Sequence, residues 1–166
     1  MKQKQLKSKL SASIMRDMAR RVINVSAVPH RSPFRYPGGK TWLVPYVRQW
    51  LKSREEKPAD FVEAFAGGGI VGLSALFDEL TIHLTLIELD EQVASVWTTI
   101  LREGLELAAR IVAFNLTRDN VSTELARVPA NIADRAFQTI LKNRVQRGGI
   151  MAPGAGLLKK VRTAMA

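Results

Sequence analysis

The sequence FVEAFAGGG, at residues 61–69, decides the fold. Aromatic and β-branched side chains over residues 61–65 are typical of a short strand. Three glycines follow at once, and apolar residues at helical spacing then run from residue 70 to residue 80. Glycines between a strand and a helix let the main chain approach a ligand closely, and the helix N-terminus attracts anionic groups. The stretch therefore predicts a strand, a candidate ligand-binding turn and a helix.

The next stretch repeats this order of elements. Residues 82–87 form a β-rich apolar run that ends in the acidic turn ELDE at residues 88–91, and a helix is predicted over residues 91–101. This alternation of strands and helices predicts an α/β fold, the opening of a doubly wound sheet with helices on both faces. Further helices are predicted over residues 13–25, from a cap at Thr41 towards residue 57, over 104–114 and over 133–143, with loops at 26–39 and 148–156.

The charge is unevenly distributed along the chain. Residues 1–60 carry 14 Lys and Arg against 4 Asp and Glu, residues 61–134 carry 4 against 11, and residues 135–166 carry 7 against none. Basic flanks around an acidic centre suit a protein that grips a polyanion and holds a cationic small molecule. Solvation of surface helices explains the same charges, so the distribution leaves both interpretations open.

Composition excludes several classes of protein. The chain has no cysteine, so disulfides, thiolate metal sites and a cysteine nucleophile are absent, and His30 and His83 are too far apart in sequence to indicate a zinc site. No apolar run approaches the roughly 18 residues that a membrane span needs. With 46% hydrophobic residues, the 166-residue chain is long enough for one core. We expect a cytoplasmic protein with no metal and no membrane partner.

Glu88 is a candidate for ligand binding because it ends the second predicted strand. A carboxylate there can accept hydrogen bonds from both hydroxyls of a ribose. Alternatively, the three acidic residues of the turn only favour a helix N-terminus, which suits Asp90 and Glu91 better than Glu88. The glycine spacing at positions 67, 69 and 72 also fits a dinucleotide fingerprint, which a plain tight turn explains too.

Four motifs resemble, in order, those of Dam-type DNA adenine methyltransferases. RYPGGK at residues 35–40 is similar to the element that opens this family, and FVEAFAGGG resembles its F-V-E-P-F-A-G-G-G motif, with Ala64 in place of the proline. IELD at residues 87–90 is similar to the family's ribose-binding turn. ILKNR at residues 140–144, followed by RGG at 147–149, resembles its L-x-x-N-R … N-G segment. The resemblance covers roughly residues 33–156.

The resemblance implies S-adenosylmethionine as the cofactor and DNA as the substrate. It implies that Asn143, Arg144 and Arg147 lie toward DNA, where arginine can pair with phosphates or guanine edges. Two structural alternatives stay open, since Phe65 can belong to the core and Asn143 can cap a helix. The residues that the resemblance implies at the cofactor are Tyr36, Gly38, Gly39, Lys40, Glu63, Phe65, Gly67, Gly69 and Glu88.

The resemblance also implies methyl transfer to adenine N6 by a later D-P-P-Y element, to which a flipped base is presented. The sequence contains no D-P-P-Y, no N-P-P-Y and no two neighbouring prolines. We therefore expect a truncated chain with no catalytic residue, no methyl transfer by this chain alone, and a second polypeptide as a candidate partner.

The expected organisation is a basic N-terminal extension at residues 1–30, a partial Rossmann-like cofactor-binding core at 31–114, and the start of a helical target-recognition insert at 115–166. Two other functions are compatible with the sequence. A nicotinamide-dependent dehydrogenase would use the same glycine spacing and Glu88, although it does not require the upstream Pro-Gly-Gly-Lys. A non-catalytic DNA-binding fragment would use the basic ends and show steeply salt-dependent binding.

Overall fold

The computed structural model describes residues 25–35, 39–149 and Leu158. These residues form five α-helices and two β-strands in a mixed α/β arrangement, with short 3₁₀ turns at Val25–Ala27, Lys40–Leu43 and Arg147–Gly149. In chain order the elements are α1 (Val44–Lys52), β1 (Asp60–Ala64), α2 (Ile70–Phe77), β2 (His83–Ile87), α3 (Glu91–Ala113), α4 (Arg118–Ala126) and α5 (Ile132–Val145).

The two strands pair in parallel, with Asp60 opposite His83 and Ala64 opposite Ile87. Side chains alternate across a strand, so one face carries Glu63, which is buried under α2. The opposite face carries Val62 and Ile87, which are 55% and 54% exposed. The prediction of helices on both faces is therefore not met in the described part of the chain. Helix α3 does not cover the second face, because it packs along α5 instead.

Helix α3 joins two predicted helices into one element. The predictions over residues 91–101 and 104–114 are confirmed as helical, but they form a single helix with a kink at Glu103, where φ is −141° and ψ is 41°. The helix begins at a cap in which the Asp90 carboxylate accepts the Gln92 N–H at 2.8 Å. Helix α5 packs beside both parts of α3, on either side of the kink.

Three clusters of buried apolar side chains hold these elements together. One joins the loop before α1 to α1 and α2, one joins the first part of α3 to α5 and to Phe34, and one joins the second part of α3 to α4 and α5. Their buried members are Val28, Val44, Ile70 and Val71, then Phe34, Val93, Val96, Ala136 and Ile140, then Leu107, Val121, Phe137, Leu141 and Val145.

Several local predictions differ from the structure. Thr41 does not cap α1, because it lies inside the 3₁₀ turn that precedes that helix. Trp42, Trp50 and Phe77, which the spacing predicts to face inward, are 58%, 46% and 66% exposed. Helix α4 was not predicted, and Thr117 caps it by accepting the Asn120 N–H. The helix predicted over residues 13–25 lies outside the described residues, except at Val25.

Within the described ranges, no helix combines the length and the apolar character that crossing a membrane requires.

Candidate functional site

The glycine turn between β1 and α2 has an unusual backbone. Gly67 and Gly69 have φ values of 52° and 63°, in the left-handed region where only glycine is free of steric cost. Gly69 is the N-cap of α2. Phe65 has a φ of 57° without being glycine, and its side chain is 82% exposed. The core alternative for Phe65 is therefore wrong, and a bulky residue in a sparsely populated conformation points to a functional constraint.

Two further glycines lie close to side chains of neighbouring elements. A Cβ atom at Gly68 would lie 2.5 Å from Ser32 Oγ, and one at Gly72 would lie 2.4 Å from a methyl carbon of Leu84. Gly68 therefore lets the loop before α1 approach the turn, and Gly72 lets α2 approach β2. The third glycine of a dinucleotide fingerprint has this helix–strand packing role.

Glu88 points at the glycine turn. One carboxylate oxygen, Oε2, accepts the Gly67 N–H at 2.6 Å, and the other, Oε1, accepts the N–H groups of Leu89 and Asp90 at 2.9 Å each. Asp90 caps α3 and Glu91 lies in its first turn, as the helix-start alternative expects, whereas the bond of Glu88 to Gly67 is not explained by that alternative. Glu88 instead ties the end of β2 to the turn that follows β1.

Lys40 and Glu63 form an ion pair beside the same turn. Lys40 Nζ lies 2.7 Å from Glu63 Oε1 and donates to the Phe65 carbonyl at 2.7 Å. Glu63 is 5% exposed, and its Oε2 accepts the Gly72 N–H at 2.7 Å. Lys40 is 32% exposed, so the costly change is the removal of Lys40, which would leave the buried Glu63 carboxylate uncompensated. The pair links the element before α1 to the end of β1.

A cavity of about 330 Å³ opens beside the turn. This volume is within the range of roughly 300–1,000 Å³ that is usual for small-molecule sites. Of the residues implied at the cofactor, Gly39, Lys40, Phe65, Gly67 and Glu88 line it. Glu63 and Gly69 do not line the cavity, but each adjoins residues that do. Glu63 pairs with Lys40, and Gly69 is the cap of α2. Tyr36 and Gly38 lie outside the described residues.

The cavity also has a wall that the sequence did not indicate. This wall contains His30, Ser32 and Phe34. The sequence predicts a loop at residues 26–39, but it does not indicate that this loop lines a cavity. Arg31 holds this loop in place by donating to the Ser74 carbonyl and to Asp78 on the end of α2. A local sequence pattern cannot predict these contacts, because Arg31 is more than 40 positions from Ser74 and Asp78 in sequence.

Asn143 is fully buried and binds main chain. Its Oδ1 accepts the Arg35 N–H at 2.8 Å, and its Nδ2 donates to the carbonyls of Arg35 at 2.8 Å and Gly149 at 3.0 Å. These bonds occupy the amide, so the expectation that Asn143 lies toward DNA is not met in this structure. Asn143 anchors the loop before α1 to the end of α5, and it does not cap a helix either.

The two arginines after Asn143 are differently placed. Arg144 is half-buried and donates to the Pro33 carbonyl at 3.2 Å. Burial lowers the pKa of Arg144, and the nearby charge of Arg35 lowers that pKa further. Arg147 is exposed in the last 3₁₀ turn. Among the residues with described positions, no carboxylate is paired with Arg144 or Arg147.

The described residues contain no group of three or more His, Asp or Glu side chains that could hold a metal ion. The site is a concave turn of main-chain groups, flanked by an acceptor carboxylate, an ion pair and an exposed aromatic ring. Comparison with models of known protein families gives no match, and comparison with curated proteins gives no match either.

Proposed function

We propose that this chain binds S-adenosylmethionine in the cavity at the glycine turn, as the cofactor-binding part of a Dam-type DNA adenine methyltransferase. The observation that carries the proposal is the position of Glu88, whose carboxylate lies 2.6 Å from the Gly67 N–H at the carboxyl ends of two parallel strands. Ligands of open α/β sheets bind at this edge. The parallel pair β1–β2 joined by α2 is consistent with a partial Rossmann-like fold.

The residues present fit this cofactor. The Glu88 carboxylate accepts hydrogen bonds from three main-chain N–H groups. Because a carboxylate can accept about four hydrogen bonds, one acceptor position remains for a sugar hydroxyl. Displacement of the Gly67 N–H would free a second position on the same oxygen. Phe65 offers an exposed ring at the cavity, and Glu63 is the carboxylate nearest to Lys40. When bound, the cofactor supplies an electrophilic methyl group on a sulfonium.

DNA is the proposed second ligand. The support is the pair Arg144 and Arg147 at the end of α5, which lack a carboxylate partner in the described structure and can therefore bind phosphate. Because the sequence contains no D-P-P-Y, we propose that these residues hold the cofactor and contact DNA, while groups outside this sequence, such as those of a second polypeptide, receive the target adenine.

Calorimetric titration with S-adenosylhomocysteine, the demethylated product, tests the proposal. We expect saturable binding by the purified chain and none of NADH, which a nicotinamide-dependent enzyme would bind. Glu88→Gln keeps the size of the side chain but replaces one acceptor oxygen with a donor. A hydrogen bond to a charged group contributes about 1.5–3 kcal/mol, so this variant should bind roughly 10–100-fold more weakly.

The matched control is Glu106→Gln on the exposed face of α3, which should bind as the wild type does. The proposal is wrong if the folded wild type ignores S-adenosylhomocysteine, or if NADH binds with equal affinity. Unchanged affinity in Glu88→Gln would refute the assigned role of the carboxylate.

A further inference from the structure

The glycine turn is held by a second side chain that the sequence did not indicate. Trp97, near the start of α3, donates its indole N–H to the Gly67 carbonyl at 2.9 Å. Glu88 accepts the Gly67 N–H at 2.6 Å. Gly67 is therefore fixed through both its N–H and its C=O, by Glu88 from the turn after β2 and by Trp97 from α3.

The indole ring also packs against the cap of α2 and against one residue of the cavity wall. A Cβ atom at Gly69 would lie 3.0 Å from the ring carbon Cζ2 of Trp97, so the ring covers the cap of α2. The ring meets Phe34 edge to face, with 6.1 Å between the ring centroids. Phe34 is 3% exposed and lines the cavity, whereas Trp97 does not line it. Trp97 can therefore affect a ligand only through the residues that it holds.

We propose that Trp97 is a positioning residue for the ligand site, which fixes the Gly67 carbonyl so that the turn keeps its shape when Glu88 releases the Gly67 N–H. The expected effect of Trp97 on ligand affinity rests on the proposed function, whereas its bond to Gly67 does not. The Glu88 carboxylate is fully bonded to main chain on one oxygen, so acceptance of two sugar hydroxyls needs the oxygen that now holds Gly67. The indole bond to Gly67 does not compete with those hydroxyls.

Trp97→Phe removes the indole N–H and keeps an aromatic ring beside Phe34 and Gly69. Trp50→Phe on α1 is the matched control, because Trp50 is 46% exposed and contacts Arg54 rather than the turn. In the free protein, we expect amide hydrogen exchange at Gly67 and Gly69 to be roughly three- to tenfold faster in Trp97→Phe and unchanged in Trp50→Phe, as the loss of one hydrogen bond implies.

Calorimetry then shows whether Trp97 positions the ligand site or only stabilises the fold. We expect the Kd for S-adenosylhomocysteine to rise roughly three- to tenfold in Trp97→Phe, at a temperature where melting curves show the variant to be folded. A merely structural role would lower the melting temperature and leave that Kd unchanged. Unchanged exchange or an unchanged Kd in a folded variant overturns the inference.

The exchange experiment needs no ligand, so it decides the role of Trp97 in the turn even if the wild type fails to bind S-adenosylhomocysteine, an outcome that refutes the proposed function. If Trp97→Phe does not fold, the wild type supplies the test. The indole N–H of Trp97 should exchange more slowly than that of Trp50, and exchange at equal rates would show that the bond to Gly67 is not formed.

Discussion

Replacement of Asn143 with alanine should destabilise the protein by about 2–4 kcal/mol, because the side chain makes three hydrogen bonds in a fully buried place. Each bond contributes about 0.5–1.5 kcal/mol, and the Arg35 N–H and the two carbonyls lose their partner together. The change also leaves a small cavity. For a domain of this size, the loss corresponds to a fall of roughly 5–15 °C in melting temperature.

Urea denaturation with linear extrapolation measures this free energy, and thermal melting provides a second probe. Asn115→Ala is the matched control, since Asn115 is exposed and only its main-chain carbonyl is bonded. Asn143→Asp should be at least as damaging as Asn143→Ala, because a carboxylate would face the carbonyls of Arg35 and Gly149. If Asn143→Ala and Asn115→Ala unfold within about 0.5 kcal/mol of each other, a typical surface effect, the anchoring role is refuted and the DNA-facing role regains support.

Three other predictions concern the pKa of Asp78, methyl transfer by the isolated chain, and the contact of Arg147 with DNA. Burial alone would raise the pKa of Asp78, but hydrogen bonds from Arg48 and Arg31 keep that pKa below its ordinary value of 3.8. The ionised carboxylate therefore stabilises the fold above pH 3.8, and this stabilisation is lost as the pH falls further. Urea titrations should show that the free energy of unfolding depends less on acid pH in Asp78→Asn than in the wild type. Incubation of the purified chain with labelled S-adenosylmethionine and DNA should give no methyl transfer, and measurable incorporation would contradict the proposal that catalytic groups lie outside this sequence. Arg147→Ala should weaken DNA binding and reduce the salt slope by about one, with Arg102→Ala on α3 as a neutral control, and equal slopes in both would exclude Arg147 from the DNA surface.

The elements with strong local periodicity could be predicted from the sequence. The strand expected at residues 61–65 is observed one residue earlier, and the strand expected at 82–87 is observed as His83–Ile87. The helix expected from residue 70 begins there but ends at Phe77. Apolar alternation, glycines and caps act over a few residues, and a single sequence carries them directly.

Contacts between distant segments could not be predicted in this way. The N-R motif implied that Asn143 faces DNA, whereas the fold brings Arg35, 108 positions earlier, against its amide. The helical spacing over residues 91–101 predicts that Trp97 faces inward, but it gives no indication of the bond to Gly67. Helical spacing also predicts that Trp42 and Trp50 are buried, but both side chains are exposed. Which face of a helix is buried depends on the elements that pack against it.

The uncovered face of the sheet has a practical consequence for handling the protein. In the part of the chain that the structure describes, no third strand pairs with the outer edge of β1 or β2. Unpaired main-chain groups beside apolar side chains such as Val62 and Ile87 favour self-association through strand addition. Sedimentation should therefore reveal oligomers that grow with protein concentration, and Val62→Lys should keep the protein monomeric at concentrations where the wild type precipitates.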